Sequence, residues 1–128
     1  MPNNIWKNLY DTAKAVVNPQ KISAQICSGG VGAAALTKDG HIYTGVNIDT
    51  DCSLGMCAER NAISTMITAG EFEIAKIIAV NKKGQVLPPC GACREFMMQL
   101  KNASDIEVLV DNNGTVVKLK DLMPYSYS

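Results

Sequence analysis

Three cysteines in two short motifs constrain this chain more than any other feature. Cys57-Ala58-Glu59 opens one predicted helix. Pro89-Cys90-Gly91-Ala92-Cys93 opens another, and Cys90 follows Cys57 by thirty-three positions. At a helix N-terminus, free backbone N–H groups and the helix dipole favour the thiolate, the form of cysteine that binds metal. A C-x-x-C turn lets two sulfurs reach one tetrahedral ion at about 2.3 Å. Cys57 would supply a third sulfur. Three protein ligands leave a fourth position open for water, which is the pattern of a catalytic rather than a structural zinc site.

Each residue also has a plainer reading. A single free cysteine is often a small buried core residue. A single Glu in a first helical turn often does no more than favour the dipole. The spaced set argues against both. Glu59 lies two positions after Cys57, so it can face the open metal position without ligating and move protons there. Zinc held by three thiolates is net negative, a poor setting for acidifying water. Arg60 and Arg94 each directly follow a motif and are expected to hydrogen-bond the sulfurs from outside the ligand set. Cys27 and Cys52 belong to no motif and read as structural. His41, the only histidine, stands next to a turn and reads as a surface residue.

Composition narrows the function class. With 12 basic and 12 acidic side chains the formal net charge is zero, so nothing suggests capture of a polynucleotide, which needs a basic excess or stripe. The chain is 47% hydrophobic and 19% charged over 128 residues, enough for one core and a single domain spanning residues 1–128. The start Met1–Lys7 lacks the apolar run of a secretory leader, and the longest charge-free apolar stretch is short for a membrane span and broken by glycines. A soluble cytoplasmic protein is expected, with no membrane partner. The odd number of cysteines fits a reducing compartment better than a disulfide framework.

Periodicity supplies the elements. Ile5, Trp6, Leu9, Tyr10, Ala13 and Val17 recur at helical spacing, and Asn18-Pro19 ends that helix. Residues 20–30 read as an irregular loop. Val31–Thr37 and His41–Ile48 form a hairpin across Lys38-Asp39-Gly40. Cys57–Ala69 is a helix with Ala58, Ala62, Ile63, Met66 and Ile67 on one stripe. Ile74–Val80 is a buried strand. Gly91–Leu100 is a helix with Ala92, Phe96, Met97 and Leu100 turned inward. Ile106–Val110 and Thr115–Lys118 are strands around an Asp-Asn-Asn-Gly turn. Strands linked through helices favour a mixed sheet with helices packed on it.

The order and spacing of these motifs resemble the cytidine deaminase superfamily, most closely its small homotetrameric cytidine deaminases and blasticidin S deaminases. The resemblance rests on Val31-Gly32-Ala33-Ala34, Thr44-Gly45-Val46-Asn47-Ile48, Cys57-Ala58-Glu59-Arg60, Pro89-Cys90-Gly91-Ala92-Cys93-Arg94 and Leu122-Met123-Pro124. It implies an α/β three-layer sandwich, a five-stranded mixed β-sheet flanked by helices. It implies one zinc per subunit on Cys57, Cys90 and Cys93, with Glu59 as general acid and base. The implied reaction is hydrolytic deamination of cytidine or 2′-deoxycytidine, with attack at the amino-bearing ring carbon and loss of ammonia. Asn47 and Asp49 then hold the sugar, and the Ala58 N–H meets the pyrimidine carbonyl. A homotetramer completes each site with neighbouring subunits, for which Tyr125 and Tyr127 are candidates.

Three departures lie on the nucleoside side. Asp49 stands where the family usually has Glu. The stretch from Asn47 to Cys57 is one residue shorter and lacks an aromatic. Gly29 stands where a pocket aromatic is usual. They leave open a deaminase of another cytosine nucleoside such as blasticidin S, in whose family tyrosine is typical at the position of Tyr127, where cytidine deaminases tend to have Phe. From other classes, a structural zinc module lacks a fourth ligand, and a dithiol oxidoreductase on Cys90 and Cys93 leaves Cys57-Ala58-Glu59 unexplained.

Overall fold

The hairpin signal at Lys38-Asp39-Gly40 organises the sheet. The computed structural model describes residues 3–127, and in it β2 (Ile26–Thr37) and β3 (Ile42–Thr50) pair antiparallel from Leu36↔Ile42 back to Gly32↔Val46 and on to Ile26↔Thr50. Gly40 takes a positive φ of 90°, which an L side chain at the tip of so tight a turn would resist. On its other side β2 pairs antiparallel with β4 (Ile74–Asn81), Ala34 opposite Ile78. β4 then pairs parallel with β5 (Glu107–Leu109), and β5 pairs antiparallel with β6 (Val116–Lys118). The order β3-β2-β4-β5-β6 is the five-stranded mixed sheet expected from the sequence.

A sixth, two-residue strand was not expected. β1 (Gln20–Lys21) pairs with Cys27 and Ser28 at the start of β2. The loop read for residues 20–30 is therefore mostly strand, with only residues 22–25 outside β1 and β2. No apolar alternation marks it, because the pairing is edge pairing, both β1 residues are exposed, and a bulge interrupts β2 between Ser28 and Gly32. Bulges carry an unpaired residue and leave no period in the sequence.

Alternation along β2 and β4 divides the core between two faces. Ala34, Ile78 and Val80 pack on Trp6, Leu9 and Ala13 of α1 (Asn4–Val16). Asn3 caps that helix by accepting the Trp6 N–H at 3.1 Å, a contact worth about 1 kcal/mol. On the opposite face Ala33 and Ala79 meet Ala58 and Ala62 of α2 (Ala58–Thr68). Ala35 and Ile77 meet Ile63 and Met66 of α2 and Cys93 and Met97 of α3 (Gly91–Met98). Small residues let α2 lie close: a Cβ on Gly45 of β3 would stand 2.4 Å from the Ala62 amide nitrogen. This is what brings the start of α2 down to the sheet edge.

The inward stripe of α3 differs from the expected one. Ala92 is exposed, Phe96 is 41% exposed, and Cys93 and Met97 are the fully buried pair. Cys93 and Met97 are four apart and share a face, so the helix rotates to bury the thiol rather than the aromatic. Ile67, placed on the α2 stripe, is 39% exposed. Among the described residues no helix is long and apolar enough to cross a membrane.

Candidate active site

The starts of α2 and α3 meet at one place. The Sγ atoms of Cys57, Cys90 and Cys93 all lie within 4.8 Å of one another, and Cys57 Sγ is 3.2 Å from Cys90 Sγ. A tetrahedral ion with sulfur ligands at about 2.3 Å separates them by roughly 3.8 Å, so the donor set and its spacing fit zinc. Cys57 and Cys90 are the N-cap residues of the two helices. Cys90 Sγ accepts the Cys93 N–H at 3.5 Å, the normal work of an N-cap.

The three thiols are not equivalent. Burial pushes the Cys57 and Cys93 thiols up, and Cys93 is also opposed by the Glu59 carboxylate. Burial also raises Cys90, but the Cys93 N–H and the Cys57 and Cys93 thiols outweigh it, and Cys90 ends below its ordinary value. A cation at this point relieves the repulsion among three sulfurs.

Glu59, in the first turn of α2, is 6% exposed. Burial holds its carboxyl above the ordinary range, against the pull of Arg60. Arg60 lies against the sulfurs: burial disfavours its charge, but contacts with Cys57 and Cys93 more than compensate. Its Nε is buried without a hydrogen-bond partner.

Arg94 is a correction. It does not reach the sulfurs. Its Nε donates to the Pro89 carbonyl at 2.7 Å and its Nη1 to the Leu122 carbonyl at 3.2 Å. Arg94 is one residue past the inward-facing Cys93, and a step of one residue turns a helix side chain by roughly 100°, away from the metal.

A cavity of about 460 Å³ opens in front of the cysteines. Asn47, Asp49, Ala58 and Glu59 all line it, as the sequence suggests. Asn47 is oriented from both ends: its Oδ1 accepts the Val31 N–H at 2.8 Å, and its Nδ2 donates to Asp49 Oδ2 at 3.0 Å. Gly29 is another correction. It does not line this cavity. Its φ is +87°, and a Cβ there would stand 2.0 Å from the Asn18 carbonyl oxygen, so no aromatic fits on this backbone. Tyr127 is 90% exposed and Tyr125 fully so, and neither lines the cavity of its own chain.

Leu87 and Pro88 form a wall of the cavity that the sequence reading passed over. Only their position just before the second motif could have signalled it. Cys52, read as structural, is exposed and also lines the cavity. The Thr50 hydroxyl, then the Leu54 N–H, hold its thiol below the ordinary value. Cys27 is exposed as well, so neither extra cysteine fills the core.

The chain is similar to known proteins in sequence and in fold. A cytidine deaminase of Halalkalibacterium halodurans is 34% identical over 102 residues, covering 77% of this chain and 76% of that one. A blasticidin-S deaminase of Bacillus cereus is 34% identical over 109 residues, with the same coverage. The crystal structure of cytidine deaminase from Mycobacterium tuberculosis superposes with a TM-score of 0.81 at 26% identity, covering 98% of this chain and 99% of that one. The model of the cytidine and deoxycytidylate deaminase zinc-binding region matches residues 7–110, from the first helix through both cysteine motifs to the last parallel strand, and the chain belongs to that family.

Proposed function

We propose that this protein hydrolytically deaminates cytosine nucleosides, converting cytidine and 2′-deoxycytidine to the corresponding uracil nucleosides with release of ammonia. The observation that carries the reading is the convergence of three cysteine sulfurs beside a buried glutamate, with Cys57, Cys90 and Glu59 lining one cavity.

Cys57, Cys90 and Cys93 hold the zinc. When bound, it supplies a Lewis acid that brings the pKa of water toward neutrality. Glu59 takes one proton from the attacking water and passes it to the ring nitrogen, then takes the second from the hydroxyl left on the ring carbon and delivers it to the leaving amine. Its raised proton affinity suits a group that must both accept and return protons near neutral pH. One C–N bond breaks, one C–O bond forms, and water and cytidine become uridine and ammonia. The Ala58 N–H, free at the first position of α2, meets the pyrimidine carbonyl. Asn47 and Asp49 face the sugar hydroxyls. Asn47 has little freedom to rotate, since both ends of its amide are engaged.

The protein works as a homotetramer, with Tyr127 of one chain reaching a neighbour's cavity. Two tyrosines at 90% exposure or more near the end of a chain support an interface there.

The test is a spectrophotometric assay of zinc-loaded protein on cytidine, with Glu59→Gln beside it. Conversion by the wild type and its loss in the variant are expected. Wild-type protein that binds zinc and leaves both cytidine and deoxycytidine untouched would overturn the substrate reading. The exposed Asp49 carboxylate would then favour the second reading, a modified cytosine nucleoside such as blasticidin S.

A further inference from the structure

We infer that Arg94 is a positioning residue that locks the metal-ligand turn at Cys90 to the carboxyl-terminal 3-10 helix (Leu119–Leu122). This rests on the reading that Cys57, Cys90 and Cys93 hold zinc.

The turn before α3 is short of backbone donors. Pro88 and Pro89 have no N–H, and Pro89 is buried. A buried carbonyl without a donor costs about 1–3 kcal/mol. The Pro89 carbonyl receives its donor from a side chain five residues on, Arg94 Nε at 2.7 Å. The Arg94 backbone N–H holds the next carbonyl, that of Cys90, at 2.9 Å. One residue thus pins the peptides on both sides of the Cys90 Cα.

The other arm of the guanidinium fixes the turn to something rigid. Nη1 donates to the Leu122 carbonyl at 3.2 Å. The 3-10 helix carrying Leu122 is anchored by Leu119, fully buried in the cluster that contains Cys93 and Met97, and Leu122 packs on the same cluster. Cys93 is held by burial in the core and Cys57 sits above the α2 core stripe. Cys90 is the exposed ligand, and its backbone position depends on its turn. A planar fork with several donors can serve two carbonyls at once, which an ammonium cannot do in the same geometry. The two motif arginines therefore divide the work. Arg60 acts on the charge of the sulfurs, and Arg94 acts on the position of one of them.

The experiment compares zinc-loaded wild type, Arg94→Ala and Arg94→Lys. Zinc transfer to an excess of a chromogenic chelator is followed at fixed pH, with melting temperature recorded beside it. Groups supporting metal ligands typically hold about 10–100-fold in metal affinity. Arg94→Ala is expected to lose zinc at least tenfold faster, with Arg94→Lys between it and wild type because one carbonyl can still be reached. Should Arg94→Ala fail to fold, a faster loss from Arg94→Lys carries the same expectation. Zinc transfer equal to wild type in the soluble variants, with or without a lower melting temperature, overturns the inference alone. Wild type that takes up no zinc overturns it together with the metal reading.

Discussion

The two ends of the cavity are built differently. The metal end comes from two helix N-termini. Its cysteines are fixed by helix starts and by the core, and its glutamate is almost wholly buried. The other end, proposed to hold the sugar, comes from one strand at the sheet edge. There Asn47 and Asp49 are held by two hydrogen bonds, and Asp49 is exposed. The difference follows from what each end has to do. Charge shifts and proton transfers gain strength from burial, because a low local dielectric magnifies them. A nucleoside that enters from solvent needs an open mouth. On the proposed reading, chemistry belongs to the buried end and choice of substrate to the exposed one.

Removing a ligand should break the comparison most completely. Cys57→Ser leaves two sulfurs from α3, too few for the proposed site. Zinc content by atomic absorption is expected to fall to near nothing and activity with it. Full zinc occupancy in that variant would show that the third ligand comes from elsewhere. Glu59→Gln comes next. It keeps the zinc and removes the proton carrier, so kcat for cytidine is expected to fall about 10²–10⁴-fold with zinc content unchanged. A loss confined to KM would move Glu59 from chemistry to binding.

Changes at the sugar end should be smaller and of another kind. Asn47→Ala leaves the Val31 N–H without its acceptor and frees Asp49. It also removes the proposed contact to the sugar, and one hydrogen bond to substrate is worth about 0.5–1.5 kcal/mol net, so kcat/KM is expected to fall roughly 2–12-fold, mostly through KM. Asp49→Asn keeps the shape and removes the charge, and should cost less. If instead Asn47→Ala lowered kcat as strongly as Glu59→Gln, the division between the ends would not stand.

The metal end was legible in the sequence because its residues are defined by spacing along helices. Cys57-Ala58-Glu59 and the C-x-x-C turn fix their own geometry locally, and both sit where helix caps are expected. The sheet was legible from alternation and one turn signal. What was not legible depends on contacts between distant segments. Arg94 follows its motif as Arg60 does, yet only the carbonyls of Pro89 and Leu122 decide where its head goes. Gly29 looked like a missing pocket aromatic, yet the Asn18 backbone lies against it and no side chain fits. The rotation of α3 that buries Cys93 instead of Phe96 was also set from outside the helix, by the sulfurs it has to meet.

The smallest predicted effect lies at a third polar cluster, and it tests whether stability can be changed without touching either end of the cavity. Glu71 follows α2, away from the residues that line the cavity. Its Oε2 accepts the Tyr43 hydroxyl and lies 2.9 Å from His41 Nδ1. The Tyr43 hydroxyl, then Thr37, then His41 hold the carboxyl below the ordinary glutamate range. A carboxyl depressed in the folded state stabilises it fully above its unfolded pKa, and that contribution disappears as pH falls through the folded one. Wild type should therefore lose stability on acidification more steeply than Glu71→Gln below about pH 4.5, while the variant is somewhat less stable at neutral pH. Zinc leaves both proteins in acid, so the difference between their melting temperatures isolates Glu71. Parallel curves from pH 7 to pH 3 would show that the cluster carries no linked proton. A change in KM for cytidine would tie it to the cavity, and stability and recognition would then not be separable in this fold.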